Sequence, residues 1–275
     1  MTFNEKLDEV LNAKRSLLCV GLDAMMEKLP PSLAGKAEPL FQFNKTLIDA
    51  TLPFAAAYKL NTAFYEAYGL SGWQALQKTC AYLPAEIIKI IDAKRGDIGN
   101  TAGMYRRALF DELGADAITV NPLMGTDSAM PFIQDPLKGV FFLCLTSNPG
   151  SADFQRFSDG RNTLYQKIAL KVNEWNEKGN CGLVVGATHP RELEEIRELA
   201  PGLPLLIPGI GAQGGDLQNS VRYGLTSQGG GALFNSSRAI IFASSGEDFA
   251  EAAASAAKST RDALNAARGM AEKEE

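Results

Sequence analysis

The densest cluster of chargeable side chains in this sequence is Asp92-Ala93-Lys94-Arg95-Gly96-Asp97. Asp92 and Lys94 lie two apart, so an extended backbone would point both to one face. Lys59 closes an earlier apolar run, and Asp23 closes the first one. If those runs are neighbouring strands, Lys59, Asp92 and Lys94 form an alternating array with Asp97 near. Opposite charges at close range hold such lysines protonated and such carboxylates ionised. A carboxylate fixed in this way is ill placed to accept a proton, and it repels an anionic group set beside it. A lysine held next to it can hand a proton to a carbanion as the carbanion forms. That is general-acid and electrostatic catalysis aimed at charge developing in the transition state. A bare Asp-x-Lys is more often a solvated loop; the added charges of Lys59 and Asp23 at other run ends favour a site.

A second feature is the segment PGIGAQGGD, residues 208–216. Its glycines Gly209, Gly211, Gly214 and Gly215 let backbone N–H groups approach an anion, and a helical pattern follows, which together make a phosphate cradle. Arg238, after the next apolar run, adds a charge-assisted clamp. The same loop contains a GxGxxG match. No acidic residue follows at the distance of about 20 residues that a dinucleotide fold requires, and the GxxxxGK[ST] form is absent, so both nucleotide folds are disfavoured. His189 precedes Pro190 at a helix start, where orienting a loop is the simpler role. Asn121 fits either a pocket or a core position.

The elements that must carry these residues alternate. Apolar runs at Ser16–Leu22, Phe54–Leu60, Glu86–Ile91, Ala115–Val120, Gly139–Leu145, Gly182–Val185, Leu203–Ile207 and Gly231–Asn235 are short and nearly continuous. Strands buried on both faces of a parallel sheet have this pattern. Helical spacing marks Glu38–Ala50, Thr101–Leu113, Thr163–Lys178, Arg191–Leu199 and Leu217–Tyr223, and an Ala-rich tail from about residue 247 predicts a closing helix. Eight strands alternating with helices predict an α/β fold, a (β/α)8 TIM barrel, over residues 1–275 as a single domain. In such a barrel the C-terminal strand ends carry the active site, which is where the charges above fall.

Composition narrows the chemistry further. A formal net charge of −5 argues against a nucleic-acid-coating surface. Four cysteines without a CxxC pair, and a single histidine, leave no zinc or histidine-rich metal site and disfavour a Ser–His–Asp hydrolase. The amphipathic N-terminus lacks the apolar core of a signal peptide, and no apolar run reaches the roughly 18–20 residues that span a bilayer. The expectation is a soluble, cytoplasmic protein with no membrane or nucleic-acid partner.

Taken together, LLCVGLD, YKLNTAFYEAYG, DAKRGDIGNTA, TVNPLMG, TSNPGSADFQ, VVGATHP, PGIGAQGGD and NSSRAI resemble, in order, the orotidine 5′-phosphate decarboxylase family. The longer chain, with DIGNTA in place of a DIPNT-like form, is similar to the longer bacterial group. Gly99 is the departure, at a loop position that leaves the charged set intact. The resemblance implies conversion of orotidine 5′-phosphate to uridine 5′-phosphate (UMP), the last step of pyrimidine synthesis, without cofactor or metal. It implies that Lys94 protonates C6 of the pyrimidine and that Asp92 presses on the substrate carboxylate. Lys59 and Asp23 would hold the array and bind ribose hydroxyls. Asp97, with Thr101 nearby, would enter from the neighbouring subunit of a homodimer. Ser147 would contact the pyrimidine, and Gln213 and Arg238 would grip the phosphate.

Two other readings compete. A sugar-phosphate decarboxylase or synthase of the same barrel superfamily shares the Asp-x-Lys and the phosphate loop but recruits Mg2+ through further acids. Lys59 stands where such an acid is needed, and it repels a cation. An inactive nucleotide-binding barrel tolerates loss of Lys94 or Asp92, yet both are present.

Overall fold

Short β-branched and aromatic runs become the strands of one closed parallel sheet. The structure, a computed structural model, describes residues 1–33, 35–188, 190–210 and 216–274, those beyond 269 as backbone only. The strands are β1 (Leu18–Gly21), β2 (Ala57–Asn61), β3 (Ile88–Arg95), β4 (Ala117–Val120), β5 (Gly139–Leu145), β6 (Cys181–Val185), β7 (Leu205–Pro208) and β8 (Ala232–Ser236). Each pairs with the next, and β8 returns to β1, Cys19 lying opposite Asn235. Strands β1, β4, β6 and β8 are buried along their whole length, as expected of strands with side chains inside the barrel and helices outside. The (β/α)8 barrel expected from the alternation is therefore the fold observed.

The helices are α1 (Phe3–Lys14), α2 (Pro39–Thr51), α3 (Ala63–Glu66), α4 (Gly69–Tyr82), α5 (Gly99–Arg106), α6 (Thr126–Ile133), α7 (Leu164–Trp175), α8 (Pro190–Leu199), α9 (Leu217–Gly224), α10 (Arg238–Ile241) and α11 (Phe249–Glu274). The segment expected as one helix over Thr101–Leu113 is α5 followed by a π-helical turn at Arg107–Glu112. Helix α4 carries weak helical signals because it holds two glycines, and one of them is required by contact. A Cβ at Gly72 would lie 1.8 Å from the Tyr65 carbonyl oxygen, so α3 and α4 meet only with glycine there. Helix α6 is masked in the sequence by Pro131 in its interior.

Helix α1 closes the N-terminal end of the barrel. Thr2 and Glu5 form a capping box at its start. Phe3 meets Phe141 of β5 edge-on at 6.0 Å. A Cβ at Gly139 would strike the Phe3 ring at 2.4 Å, so glycine admits the plug. Helix α11 buries Ala253, Ala257 and Leu264, and Phe249 at its start stacks on Phe43 of α2. With the N-terminal end filled, the open end of the barrel is the one where strands finish. None of the described helices is long and apolar enough to cross a membrane.

Candidate active site

The site begins with the way each charged side chain is fixed at a strand end. Asp23 follows β1, and its Oδ1 accepts the Asn61 N–H at 3.3 Å. The end of β1 is anchored from behind: the Tyr65 hydroxyl donates to the Leu22 carbonyl at 2.8 Å. Asn44 Nδ2 donates to that hydroxyl at 2.9 Å and to Thr79 Oγ1 at 3.1 Å. These bonds tie the end of β1 to α2 and α4, although Asn44 Oδ1 itself has no hydrogen-bond partner among the described residues.

Lys59 lies within β2, opposite Ile90, and Asn61 lies opposite Asp92. Its ammonium is 3.0 Å from Asp92 Oδ2 and 3.6 Å from Asp23 Oδ1. Lys94 Nζ donates to Asp92 Oδ1 at 2.7 Å, and so does Thr119 Oγ1 at 2.7 Å. The array of Asp23, Lys59, Asp92 and Lys94 therefore exists. Its geometry differs from simple alternation along an extended strand. Lys94 has a φ of 47°, in the left-handed region, which costs a residue with a Cβ about 1–2 kcal/mol. It converges on Asp92 by turning its backbone.

Electrostatics divides the roles. Burial alone would push the Asp92 carboxyl up. The ammoniums of Lys59 and Lys94, with hydrogen bonds from Lys94 and Thr119, outweigh burial and hold it well below the usual carboxylate range. Burial would likewise pull Lys59 down, and Asp23 and Asp92 outweigh it, so Lys59 is held protonated above the ordinary lysine range. The Lys59 side chain is 5% exposed and that of Lys94 45%. Lys59 is thus a largely buried counter-ion at the cavity wall, and Lys94 the more exposed ammonium. Cys19, beneath this cluster, is no nucleophile: burial pushes its thiol up to about 12.

The described residues leave a cavity of about 350 Å³ over this cluster, within the roughly 300–1,000 Å³ of small-molecule sites. Topology divides its lining. Asp23, Lys59, Asp92 and Lys94 come from β1 to β3, while Leu143, Val184 and Leu206 of β5, β6 and β7 form an apolar arc suited to a planar ring. Ser147, after β5, lines the cavity, and Gly186 lets it sit there, since a Cβ at 186 would lie 2.8 Å from the Ser147 nitrogen. Arg238, exposed at the start of α10, lines the cavity too and has no ion-pair partner among the described residues. An unpaired guanidinium at the mouth of a cavity is a receptor for an anion. Gly209 lines the same end with a φ of 101°. Gly211, Gln213, Gly214, Gly215 and His189 lie outside the described residues.

Two expected residues stand apart from their own cavity. Asp97 is half-buried beyond β3, its Oδ1 accepting the adjacent Ile98 N–H at 2.8 Å, and it makes no ion pair among the described residues. Asp97 is not among the residues that line this chain's cavity. Thr101 is exposed on α5. Gly99, between them, has a φ of 52°, a conformation closed to proline. Asn121 is a turn cap, its Oδ1 accepting the Leu123 N–H at 3.0 Å.

Among the cavity residues that sequence reasoning missed, two polar ones stand out. Thr119 is an ordinary strand former in a β-branched run, so nothing marks its hydroxyl. Asn235, next to last in β8, is a buried amide lining the cavity, and its Oδ1 has no hydrogen-bond partner among the described residues. A polar residue closing an apolar run was the available signal.

The model of the orotidine 5′-phosphate decarboxylase / HUMPS family matches residues 16–254. An orotidine 5′-phosphate decarboxylase of Dehalococcoides mccartyi is 49% identical over 269 residues, covering 96% of this chain and 98% of that protein. The solved structure of Leishmania donovani OMP decarboxylase aligns with a TM-score of 0.84 at 42% identity, over 98% of this chain and 99% of that one. Leishmania donovani UMP synthase aligns with a TM-score of 0.87 at 45% identity; the match covers 98% of this chain and 57% of that longer one.

Proposed function

This chain belongs to the orotidine 5′-phosphate decarboxylase family, and we propose that its cavity converts orotidine 5′-phosphate to UMP and carbon dioxide, the UMP-forming step of pyrimidine biosynthesis. The observation that carries the proposal is the Lys94 ammonium resting on an Asp92 carboxylate that is itself held ionised. The substrate carboxylate is set against Asp92, which cannot relieve the repulsion by taking up a proton. The bond from C6 to the carboxylate carbon breaks, CO2 leaves, and the electron pair stays on C6. Lys94 Nζ gives its proton to C6 and is reprotonated from solvent. The developing negative charge is what the ammonium stabilises, and it is stabilised more in the transition state than in the bound substrate.

The other roles follow the charged and apolar parts of the cavity. Asp23 and Lys59 bind the ribose hydroxyls, Ser147 meets the pyrimidine, and Arg238 with the glycines of the β7 loop takes the phosphate. Gln213 is assigned to the phosphate by the family resemblance alone. The donor set supports chemistry without a metal, because two ammoniums flank the carboxylate to which a cation would have to bind. The four free cysteines, all buried, fit a reducing cytoplasm, where the chain would work as one barrel domain.

Asp97 completes the array from the second subunit of a homodimer, with Thr101 beside it. Support comes from the apolar side chains of Ile98, Met104, Leu123 and Met124, exposed just before and on α5 and on the turn after β4. Mixing inactive Lys94→Ala and Asp97→Ala proteins tests both readings at once. Heterodimers regain one intact site, so activity returns to roughly a quarter of wild type. A mixture that stays inactive while wild type turns over refutes the shared site; a wild type that binds UMP and consumes no orotidine 5′-phosphate refutes the decarboxylase.

A further inference from the structure

Strands β3 and β4 do not pair residue for residue at the site. Ile91 lies opposite Ile118 and Arg95 opposite Val120, so Asp92, Ala93 and Lys94 together face Thr119 alone. This is a wider irregularity than the common bulge, in which two residues oppose one. It lets Asp92 and Lys94 crowd into one short stretch of cavity wall. It also turns the Lys94 backbone left-handed and takes its N–H away from any carbonyl of β4.

Thr119 Oγ1 replaces the missing acceptor, taking the Lys94 N–H at 2.9 Å. The same hydroxyl donates to Asp92 Oδ1 at 2.7 Å, the oxygen on which Lys94 Nζ also rests. One atom thus ties the backbone of the lysine to the rotamer of the carboxylate. Thr119 is 1% exposed, so bulk water does not stand in for it. A buried donor and acceptor left without partners do not hold their geometry at no cost.

We propose that Thr119 is a positioning residue whose hydroxyl fixes the left-handed turn at Lys94 and the orientation of Asp92, and so sets where the ammonium meets the reacting carbon. The inference rests on the decarboxylase reading of the site. Its effect falls on kcat rather than on binding, because the ribose and phosphate are held from β1, β2, β7 and β8. Thr119→Val keeps the shape and removes both hydrogen bonds. Thr119→Ser keeps both and loses only a methyl group.

Both variants are assayed beside wild type, with the dissociation constant for UMP measured by calorimetry. The expected result is a fall in kcat of about 100-fold for Thr119→Val, as for a misplacement near 1 Å. UMP affinity stays within about threefold, and Thr119→Ser keeps kcat within about threefold of wild type. Wild-type kcat in Thr119→Val overturns the inference. So does a serine variant as impaired as the valine one, since the methyl packing would then be what matters. Parallel loss of kcat and UMP affinity, or failure of Thr119→Val to fold, reduces Thr119 to a structural residue and overturns it as well. Amide hydrogen exchange at Lys94, read by NMR without turnover, separates this question from the decarboxylase reading. It is expected to accelerate in Thr119→Val and not in Thr119→Ser, and unchanged exchange in Thr119→Val refutes the positioning role even if wild type proves inactive.

Discussion

Replacing Lys59 by methionine removes an ammonium 3.0 Å from Asp92 Oδ2 and 3.6 Å from Asp23 Oδ1 while keeping an unbranched side chain. At an effective dielectric of about 20 the two contacts supply roughly 5 kcal/mol each of gross attraction, about 10 kcal/mol together. Much of that offsets the desolvation of Lys59, which is 4% exposed; methionine incurs no such cost. Removing one partner of a buried pair leaves a net loss of about 3–5 kcal/mol, on the order of 10 °C in Tm. The pH dependence identifies the cause. In wild type the Asp92 carboxyl is held below its ordinary value, so its contribution is present above about pH 4 and lost as pH falls through the depressed value. In the variant, burial pushes that carboxyl up with only Lys94 and Thr119 left to oppose it, so protonation relieves the buried charge at higher pH than in wild type. The stability gap is therefore widest near neutrality and narrows toward about pH 4. Thermal and urea unfolding followed by circular dichroism across that range measure it. A gap below about 1 kcal/mol, or one that does not change with pH, would mean that water already screens the cluster as it screens a surface pair, and the reasoning would fail.

Three further outcomes follow from the same geometry. Lys94→Ala lowers kcat by about 1,000-fold or more while leaving UMP binding and the fold in place, and retained turnover in a steady-state assay removes Lys94 as the proton donor. Arg238→Ala weakens UMP binding roughly 30-fold through loss of a charge-assisted contact to phosphate, measured by calorimetry; unchanged affinity puts the phosphate elsewhere. Tyr65→Phe takes the donor from the Leu22 carbonyl and lowers stability by about 1–2 kcal/mol in urea unfolding, whereas an unchanged midpoint would show that the end of β1 does not depend on this network.

The barrel was legible because strands buried on both faces leave continuous apolar runs, and the charges that end those runs fall on one rim. Phe54–Leu60 was the faint case, Ala-rich, and β2 begins only at Ala57. Helix α4 was hidden because glycines serving close contact weaken helical spacing, and Gly72 is needed by a carbonyl that folding brings to it. The site was legible as a set of charges and less so as geometry. Asp92 and Lys94 do converge, yet through a register break and a left-handed turn that an Asp-Ala-Lys string does not announce. Thr119 was invisible for the same reason: its importance exists only opposite that break. Asp97 sits three residues past Lys94 in sequence, yet it is not among the residues lining its own chain's cavity.

The most direct test of the account is the ultraviolet absorbance of orotidine 5′-phosphate mixed with the purified protein in excess chelator, with the product identified by chromatography. The account predicts loss of the orotate signal with equimolar UMP and CO2, undiminished by the chelator and abolished in Lys94→Ala. A folded protein that leaves the absorbance unchanged, or that turns over only after Mg2+ is restored, would contradict it.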